Sequence, residues 1–224
     1  MPPNPLPKSG FLANASADLI ALLESLATEV SLRSGDILFE HGDEGDALFA
    51  VVDGAIEFSI LSADGRKLAL DVMKAGALFG EISLFDPGAR TATATALEPS
   101  RVRRIKNTDV QKAIRETPDL AIDLTRLAGQ RMRWMNRQLN EQVFLPLPTR
   151  LACKVLHLMQ DGTDGAPTLR LSQADLADFV GATREAVSKA LATWKKEGIV
   201  ESSRGGLKVL DQSALRAMAD LDQI

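Results

Sequence analysis

Glycine-containing turns recur at nearly regular intervals between residues 31 and 106. They read RSGD, HGDEGD, VDGA, ADGR, KAGA and DPGA, and short runs of alternating apolar residues fill the gaps between them. Apolar side chains at every second position are typical of half-buried β-strands. The alternating sets are Ile37 and Phe39; Leu48, Ala50 and Val52; Ile56, Phe58 and Ile60; and Leu68, Leu70 and Val72. Short strands at this spacing predict a compact barrel or jelly roll.

The hydrophobic period changes after this segment. Between residues 109 and 143 Gly129 is the sole glycine, and apolar residues recur at helical spacing, namely Leu120, Leu124, Leu127, Met132, Met135, Leu139 and Val143. This pattern predicts one long helix. Its apolar stripe needs a partner, either a second copy of itself in a coiled-coil-like dimer or the helix's own barrel. Pro146 and Pro148 cannot continue the helix, so residues 144–148 are predicted to form an interdomain hinge.

Composition limits the class of protein. At 224 residues the chain has room for two modest domains, with a further helix predicted at residues 16–27, where Ser16 is its cap and it packs on the barrel. The single cysteine, Cys153, cannot build a disulfide framework or an iron–sulfur site within one chain. The chain shows no export signal, and no stretch approaches about 18 uncharged apolar residues. These features predict a cytoplasmic protein without a membrane span.

The C-terminal sequence LSQADLADFVGATREAVSKALATWKKEGIV predicts two capped helices joined by a tight turn. Ser172 is placed to cap the first helix, with Asp175 at the capping-box position, and Gly181 supplies the turn. Thr183 caps the second helix, which is expected to end at Gly198. The following sequence IVESSRGGLKVL predicts two short strands around a Gly-Gly turn.

The second of these helices has an apolar and a polar face. Val187, Leu191 and Trp194 share one face, and the opposite face carries Glu185, Ser188, Lys189, Ala192 and Lys196. Residues 183–208 hold six bases and three acids in a chain of net charge −4. Two capped helices followed by a hairpin predict a winged helix-turn-helix that offers its second helix to the major groove of DNA. The alternative is an ordinary helical hairpin with a solvated polar face.

The segment FGEISLFDPGARTA, residues 79–92, places an acid and a base around one short loop. Glu81 stands nine positions before Arg90. A fixed guanidinium suits a single negative charge held in a partly dry pocket, because charge-assisted hydrogen bonds are the stronger ones. A carboxylate only accepts hydrogen bonds, so Glu81 suits a hydroxyl group rather than a second phosphate. The alternative is that Glu81 and Arg90 pair with each other in a vestigial pocket.

The barrel with FGE, eight intervening residues and RTA, the long helix, the hinge and the winged helix together resemble one family. It is the catabolite-activator and fumarate-nitrate-regulator (CRP/FNR) family of bacterial transcription regulators, and the resemblance covers about residues 16–215. The resemblance implies an α+β fold. Its expected parts are a β-roll (jelly-roll) cyclic-nucleotide-binding domain at 1–108, a dimerisation helix at 109–143, the hinge, and a winged helix-turn-helix domain at 149–224. It further implies a homodimer that binds a palindromic double-stranded DNA operator, with RNA polymerase as another partner.

The resemblance also assigns ligand-binding residues. Arg90 is expected to pair with the ring phosphate of a cyclic nucleotide and Glu81 to accept a hydrogen bond from its ribose 2′-hydroxyl. The loop residues expected to surround them are Gly80, Ile82, Ser83 and Thr91, and the base-contacting candidates on the long helix are Asn136, Arg137 and Gln138. The expected effector is cAMP. Thr91 resembles the cassettes of cGMP-preferring kinases, so cGMP remains the alternative.

The DNA-contacting residues are assigned in the same way. The resemblance implies that base edges are met by Arg184, Glu185, Ser188 and Lys189. The other expected DNA-binding residues are Ser172, Thr183, Arg204 and Lys208. Lys189 stands where the family has arginine, and lysine cannot make the planar bidentate contact to guanine that arginine makes.

Other chemistries fit the sequence poorly. His41 lies in a glycine-rich turn and His157 on a helix, so neither is expected to ligate haem. Cys153 and His157 are one helical turn apart, but no oxyanion motif accompanies them. The acids of HGDEGD do not follow the order of an EF-hand loop. We therefore expect no metal, haem or iron–sulfur cluster and no enzymatic activity. A cyclic-nucleotide module that acts through protein contacts is the alternative from another class, and the winged helix favours the DNA-binding regulator.

Overall fold

The computed structural model describes residues 6, 12, 14–160, 168–169, 171–203 and 206–219. The chain divides into two compact units. The first comprises Met1–Ile60 and Leu70–Met135, and the second comprises Leu61–Ala69 and Asn136–Ile224. No helix in the described part of the chain combines the length and the apolar character needed to cross a membrane.

The first unit is built on two antiparallel four-stranded sheets, as the turn spacing predicted. The strands are β1 (Thr28–Leu32), β2 (Ile37–Phe39), β3 (Ala47–Asp53), β4 (Ala55–Leu61), β5 (Lys67–Lys74), β6 (Leu78–Phe79), β7 (Thr93–Ala96) and β8 (Ser100–Lys106). One sheet has the order β1-β8-β3-β6 and the other the order β2-β7-β4-β5. In the first sheet Val30 lies opposite Val102, and Leu48 lies opposite Ile105.

Strand β3 is buried on both faces. The side chains of Leu48, Ala50 and Val52 belong to a cluster that includes the N-terminal helix. The side chains between them, Phe49 and Val51, point into a second cluster that holds the aromatic rings of the other sheet. Successive strand residues face opposite sides, so this one strand joins both halves of the core.

Helix α1 (Ala17–Leu26) confirms the predicted N-terminal helix and its cap. The Ser16 hydroxyl accepts a hydrogen bond from the Leu19 backbone N–H at 3.1 Å. Leu19, Ile20 and Leu23 are buried in the cluster that lies on the first sheet. The helix therefore packs on the barrel as expected.

The alternation of inward-facing residues predicted for β5 is wrong at Leu70. Its side chain is 37% exposed, whereas Ala69, Asp71 and Met73 are buried, with Asp71 only 5% exposed. A shift of one residue along a strand moves every side chain to the opposite face. Because the inward position 71 is occupied by an acid, the sequence did not show this alternation as an apolar pattern.

The long helix predicted over residues 109–143 is present, but it begins ten residues later than predicted, at Asp119. The segment forms α3 (Asn107–Glu116) and α4 (Asp119–Phe144), separated by Thr117 and Pro118. Proline has no backbone N–H and disfavours helical conformation in the residue before it, so Pro118 separates the two helices. The short helix α2 (Ile82–Phe85) lies earlier in the chain, after β6.

The apolar residues of α4 fall into two sets. Leu120, Leu124 and Leu127 are buried within the first unit. The second set lies further along the helix and is exposed, with Met132 at 71%, and it also contains Met135, Leu139 and Val143. The first turns of α4 therefore pack on the barrel, which was the alternative expected for this helix. The later turns carry an exposed apolar stripe.

The segment predicted as an interdomain hinge, residues 144–148, lies at the end of α4 and inside the second unit, which begins at Asn136 on this helix. This helix ends at Phe144, and α5 (Leu147–Gln160) begins after Leu145 and Pro146. The Arg150 side chain donates from Nη1 to the Gln142 carbonyl oxygen at 2.8 Å and to the Gln142 side-chain oxygen at 3.1 Å. Pro148 lies in the first turn of α5, where a missing N–H costs nothing.

The second unit contains the predicted helix-turn-helix and wing. Its remaining elements are β9 (Thr168–Leu169), α6 (Gln173–Val180), α7 (Arg184–Lys196), β10 (Val200–Ser203), β11 (Gly206–Val209) and α8 (Gln212–Met218). The strands form one sheet in the order β10-β11-β9. The capping box of Ser172 and Asp175 is present, and Gly181 adopts the left-handed conformation with φ of +60°. These caps and the two-stranded wing were predicted, whereas β9 was not.

Candidate ligand cavity and nucleic-acid interface

A cavity opens within the first unit beside the segment that was singled out in the sequence. The empty space within it is about 700 Å³, a volume that includes open solvent at its mouth. The walls combine apolar side chains of the strands, the loop from Gly80 to Ala92, and three residues of α4, which are Arg131, Trp134 and Met135.

Arg90 lies in this wall and is 6% exposed. Its Nη2 donates to the Ala47 carbonyl oxygen at 2.9 Å, and its Nη1 lies 3.5 Å from the Gly80 carbonyl oxygen and 3.4 Å from the Ser83 hydroxyl. Its Nε has no hydrogen-bond partner among the described residues. The guanidinium is therefore fixed in place while some of its five N–H donors stay available.

The charge of Arg90 is only weakly compensated by nearby acids. The nearest carboxylate oxygen in its described surroundings, Oδ1 of Asp46, lies 3.9 Å away on an exposed side chain that also pairs with Arg104. The guanidinium carbon stands 4.4 Å from the centre of the Phe39 ring. Burial lowers the pKa of Arg90, and Asp46 opposes that shift. A buried cation of this kind favours an anion beside it.

Gly80 allows the arginine to approach the backbone closely. Its φ is +81°, a left-handed conformation that side chains rarely adopt. A Cβ atom at this position would lie 2.8 Å from Arg90 Nη1 and 2.9 Å from the Ala47 carbonyl oxygen. Glycine is therefore required here both for the backbone conformation and for space.

Ser83 is held by its own set of contacts. Its hydroxyl donates to the Gly80 carbonyl oxygen at 3.0 Å and lies 3.2 Å from the Asn107 side-chain nitrogen, which also donates to the Gly45 carbonyl oxygen. A Cβ atom on Gly45 would collide with Ser83. These contacts fix the loop that carries Glu81 and Arg90.

Glu81 pairs with α4 and not with Arg90 in the described contacts. Its Oε1 lies 3.5 Å from Arg131 Nε, and both side chains are largely buried. The Arg131 guanidinium carbon stands 4.6 Å from the centre of the Trp134 ring. The hypothesis of a vestigial Glu81–Arg90 pair therefore has no support in this arrangement.

The structure brings most of the predicted ligand-binding residues to the cavity. Its wall includes Gly80, Glu81, Ile82, Ser83, Arg90 and Thr91. The three base-contact candidates Asn136, Arg137 and Gln138 are not among the lining residues, which end on α4 at Met135. Sequence reasoning missed Asp71, Arg131 and Trp134. Helical spacing would have grouped Arg131 with Trp134, since residues three apart share a face.

Helix α7 presents the expected polar face. Arg184, Glu185 and Lys189 are exposed, Ser188 is partly exposed, and the opposite face is buried. In the wing, Lys208 is exposed and lies opposite Glu201. Arg204 lies outside the described residues.

The hydroxyls of Ser172 and Thr183 act as helix caps. Each accepts a backbone N–H of its own helix, from Asp175 at 3.1 Å and from Ala186 at 3.2 Å. A hydroxyl that accepts one hydrogen bond still has its own hydrogen to donate. Both residues therefore keep a donor at the start of a helix, where phosphate contacts of helix-turn-helix proteins are common.

Among the residues that the structure describes, neither a reactive thiol nor a metal site is found. Burial raises the pKa of the Cys153 thiol to about 11, with Glu141 adding to the shift, so the thiolate is scarce at neutral pH. In the described part of the chain no three His, Cys, Asp or Glu side chains are grouped so as to hold a metal ion.

Comparisons with known proteins agree with both halves of the structure. Residues 29–117 match the cyclic nucleotide-binding domain, and residues 149–218 match the Crp-like helix-turn-helix domain. The CRP-like cAMP-activated global transcriptional regulator of Mycobacterium tuberculosis is 31% identical over 219 residues, which cover 96% of this chain and 98% of the relative. The cyclic AMP receptor protein of Thermus thermophilus is 31% identical over 185 residues, covering 83% and 85%.

A solved structure supports the same conclusion. A transcriptional regulator of the CRP/FNR family from Thermus thermophilus superposes with a TM-score of 0.74 at 26% identity, covering 86% of this chain and 98% of that one. A cyclic-nucleotide-binding domain joined to a Crp-like helix-turn-helix defines a DNA-binding transcription regulator. The chain belongs to the CRP/FNR family of such regulators.

Proposed function

We propose that this chain is a dimeric transcription regulator that binds cAMP in the cavity of its first unit and, in response, binds a two-fold-symmetric DNA operator through α7 and the wing. The observation that carries the proposal is the buried Arg90 guanidinium, which lines the cavity without a close carboxylate among the described residues. The protein acts by binding and not by catalysis. Its place of action is the cytoplasm, with RNA polymerase as the further partner.

The phosphate of the nucleotide binds at Arg90. The ring phosphate of cAMP carries one negative charge, and the guanidinium offers it several donors from a fixed position, because Ala47 and Gly80 already orient it. Thr91 lines the same wall and adds an exposed hydroxyl. Fixing the guanidinium beforehand lowers the cost of ordering it on binding.

The ribose binds at Glu81. A carboxylate only accepts hydrogen bonds, so it pairs with the 2′-hydroxyl and repels a second phosphate. In the described structure the Glu81 carboxylate is also held by Arg131 of α4. The nucleotide therefore contacts a group that is already linked to the long helix.

For the base of the nucleotide there are two candidates, the adenine of cAMP and the guanine of cGMP. The names of the mycobacterial and Thermus relatives refer to cAMP, which favours adenine in this chain too. Thr91, the residue of the cGMP-preferring kinase cassettes, keeps cGMP as the alternative. Trp134 and Met135 give the cavity an apolar surface that accommodates either purine ring.

The dimer forms through the exposed stripe of α4. Met132, Leu139 and Val143 are more than half exposed and follow each other at intervals of seven and four residues. Apolar positions at alternating spacings of three and four form the seam of a coiled coil. Pairing with a second copy of α4 removes these side chains from water.

Ligand binding and DNA binding are coupled through α4. A nucleotide held by Arg90 and Glu81 shifts Arg131, and with it the contact between the two α4 helices and the hinge at residues 144–148. The two α7 helices then match successive major grooves, which are about 34–36 Å apart. A full switch from 1:99 to 99:1 requires about 5.5 kcal/mol of differential affinity for the two states.

The experiment that tests both parts is DNA selection with and without nucleotide. The purified protein is incubated with a pool of random duplexes in the presence of cAMP, of cGMP or of no nucleotide, and retained DNA is measured by gel shift. We expect retention of palindromic sequences that increases with cAMP. Equal retention in all three arms, together with no cAMP or cGMP binding by calorimetry, would contradict the effector while leaving DNA binding in place. No sequence-selective retention in any arm would contradict the regulator itself.

A further inference from the structure

Pro146 leaves one backbone carbonyl of α4 without its helical partner. In a continuing helix the carbonyl oxygen of Gln142 would accept a hydrogen bond from the N–H of residue 146, but proline has no backbone N–H. The carbonyl is therefore an orphan acceptor close to the end of α4 at Phe144. A cationic side chain suits this end of a helix, because it can donate to the last carbonyls and opposes the helix dipole.

Arg150 supplies that donor from the first turn of α5. Its Nη1 donates to the Gln142 carbonyl oxygen at 2.8 Å and to the Gln142 side-chain oxygen Oε1 at 3.1 Å. Hydrogen bonds from a charged donor are the stronger ones. The two contacts orient both the backbone and the side chain of Gln142, so one guanidinium joins the last turn of α4 to α5.

The Gln142 side chain continues this link to the helix-turn-helix. Its Oε1 and Nε2 lie 3.7 Å and 3.9 Å from the position that a Cβ atom would take on Gly181. Gly181 is the left-handed residue after α6, and α7 begins three residues later at Arg184. The whole link lies within the second unit. Contacts therefore run from the end of α4, through one side chain, to the turn that precedes α7.

The position of α7 relative to α4 determines which operators a dimer can bind. In the proposed dimer the two α4 helices pair, so the distance between the two α7 helices depends on where each α7 lies relative to its own α4. Dimeric helix-turn-helix proteins bind half-sites at a matching distance. One added base pair moves a half-site by about 3.4 Å along the duplex and also rotates it about the axis. A fixed link between α4 and α7 therefore selects one spacing.

We infer that Arg150 is a positioning residue for DNA binding: through Gln142 it fixes α7 relative to the end of α4, and it thereby sets the half-site spacing that the dimer accepts. This rests on the proposed dimer and on DNA binding through α7. Arg150 contacts neither base nor nucleotide in this role. Its bonds to Gln142 lie at an exposed part of the chain, so their loss should leave the fold largely intact.

Duplexes that differ in half-site spacing test the inference. The half-site retained by the full-length wild-type protein is placed in pairs whose spacing varies in steps of one base pair, and gel shifts are measured with cAMP and without nucleotide. We expect wild-type protein to prefer one spacing at least about tenfold over its neighbours, a discrimination comparable to that for one mismatched base pair. Arg150→Ala should reduce this preference to less than about threefold on the same scale. Its affinity for cAMP in the absence of DNA, measured by calorimetry, should stay unchanged.

Further variants separate positioning from charge and from folding. Gln142→Ala keeps the backbone carbonyl but removes the side chain that reaches Gly181, so it should also widen the accepted spacing. Arg150→Lys keeps a charged donor without the planar fork of N–H groups and should give an intermediate preference. Arg216→Ala is the control, because Arg216 is an exposed arginine on α8 of the same unit and its loss removes the same charge. This control should keep the wild-type spacing.

The spacing preferences of wild type and variants decide between the outcomes. Wider spacing in Arg150→Ala and Gln142→Ala, with unchanged cAMP affinity, supports the inference. An unchanged preference in Arg150→Ala overturns it, and so does a uniform loss at all spacings with a smaller dependence on salt, which marks a phosphate contact. If Arg150→Ala fails to fold, an unchanged preference in Gln142→Ala and Arg150→Lys overturns it.

Failure of the proposed function gives a different result. If wild-type protein binds no duplex at any spacing, the proposed function fails and this inference fails with it. If wild-type protein binds all spacings equally, DNA binding stands and the inference alone is overturned.

Discussion

Arg131 Nε lies 3.5 Å from Glu81 Oε1, and this contact ties helix α4 to the loop that follows β6. The contact matters because Glu81 is also the expected partner of the ribose hydroxyl. In the proposed complex, a nucleotide shares this carboxylate with Arg131 or displaces it. Either outcome changes the contacts of a helix whose later turns carry the proposed dimer interface.

Arg90→Ala should weaken cyclic-nucleotide binding by about 1.5–3 kcal/mol, the range for a hydrogen bond to a charged group. Arg90→Lys should recover only part of the loss, because lysine has no planar fork of donors. Calorimetry with cAMP and cGMP measures both variants. Arg66→Ala is the control, since that side chain is 83% exposed. Equal affinity of Arg90→Ala and wild type would contradict the assignment.

Gly80→Ala should reduce ligand affinity at least about tenfold, and Gly35→Ala should not. Both glycines have positive φ, +81° and +86°, so both substitutions carry a backbone cost of roughly 1–2 kcal/mol. Only at Gly80 does the added Cβ meet Arg90 and Ala47, whereas nothing lies within 4 Å of the Cβ at Gly35. Thermal unfolding and calorimetry on both variants separate strain from crowding. A similar loss of affinity in both would show that crowding at Arg90 is unimportant.

Leu139→Glu should convert the protein to a monomer. The side chain is 60% exposed on the stripe of α4, and a charge at a coiled-coil seam opposes pairing. Light scattering at micromolar concentration should give about twice the chain mass of 24.1 kDa for wild type and the single-chain mass for the variant. Arg133→Glu, at an exposed polar position of the same helix, should remain a dimer. A wild-type protein that scatters as a single chain would refute the interface.

Arg184→Ala should cost about 1–3 kcal/mol on the preferred operator and flatten the preference at one base pair. The motivation is the exposed position of Arg184 in the first turn of α7. We expect a guanine opposite Arg184, a cytosine amino group near Glu185 and looser selection opposite Lys189. Selection from random duplexes measures these preferences. An unchanged half-site with unchanged stringency would show that α7 is not the reading helix.

Variants of the wing serve as the comparison for Arg184→Ala. Lys208→Ala should weaken binding to all sequences alike and lower the dependence of the affinity on salt, because a phosphate contact carries no sequence information. Arg204→Ala is predicted to behave in the same way. A change of base preference in either variant would instead place the wing in direct base contact.

Cys153 should react slowly with iodoacetamide at neutral pH. A thiol whose pKa is raised to about 11 has roughly one molecule in a thousand as thiolate at pH 8. Because the pKa is raised, the alkylation rate should increase tenfold per pH unit up to about pH 10. A thiol in an unfolded control should reach half of its maximal rate near pH 8.5 and level off about one pH unit higher. A rate that is half-maximal near pH 8.5 in the folded protein would contradict the effect of burial.

Local signals in the sequence predicted the parts of the structure that depend on neighbouring residues. The caps at Ser16, Ser172 and Thr183 and the left-handed turn at Gly181 all occur as expected, because each is decided within a few residues. The same reasoning failed at Pro118, whose effect on the helix was overlooked although proline is itself a local signal.

The sequence did not predict the contacts between segments that are distant along the chain. Arg131 and Glu81 are far apart along the chain, and nothing local links them. The inward orientation of Asp71 contradicts the usual preference for apolar residues in buried positions. Which apolar residues of α4 are buried and which are exposed depends on which turns of the helix lie against the barrel. Helical periodicity alone cannot decide that.

Strand β3 has a consequence for how the first unit unfolds. Leu48 and Val52 hold one cluster and Phe49 and Val51 the other, so neither cluster can separate without disturbing a strand on which the other depends. We therefore expect the two sheets to unfold as a single cooperative unit. The amide hydrogens of β3 should be among the slowest to exchange with solvent, because their exposure requires the whole unit to open.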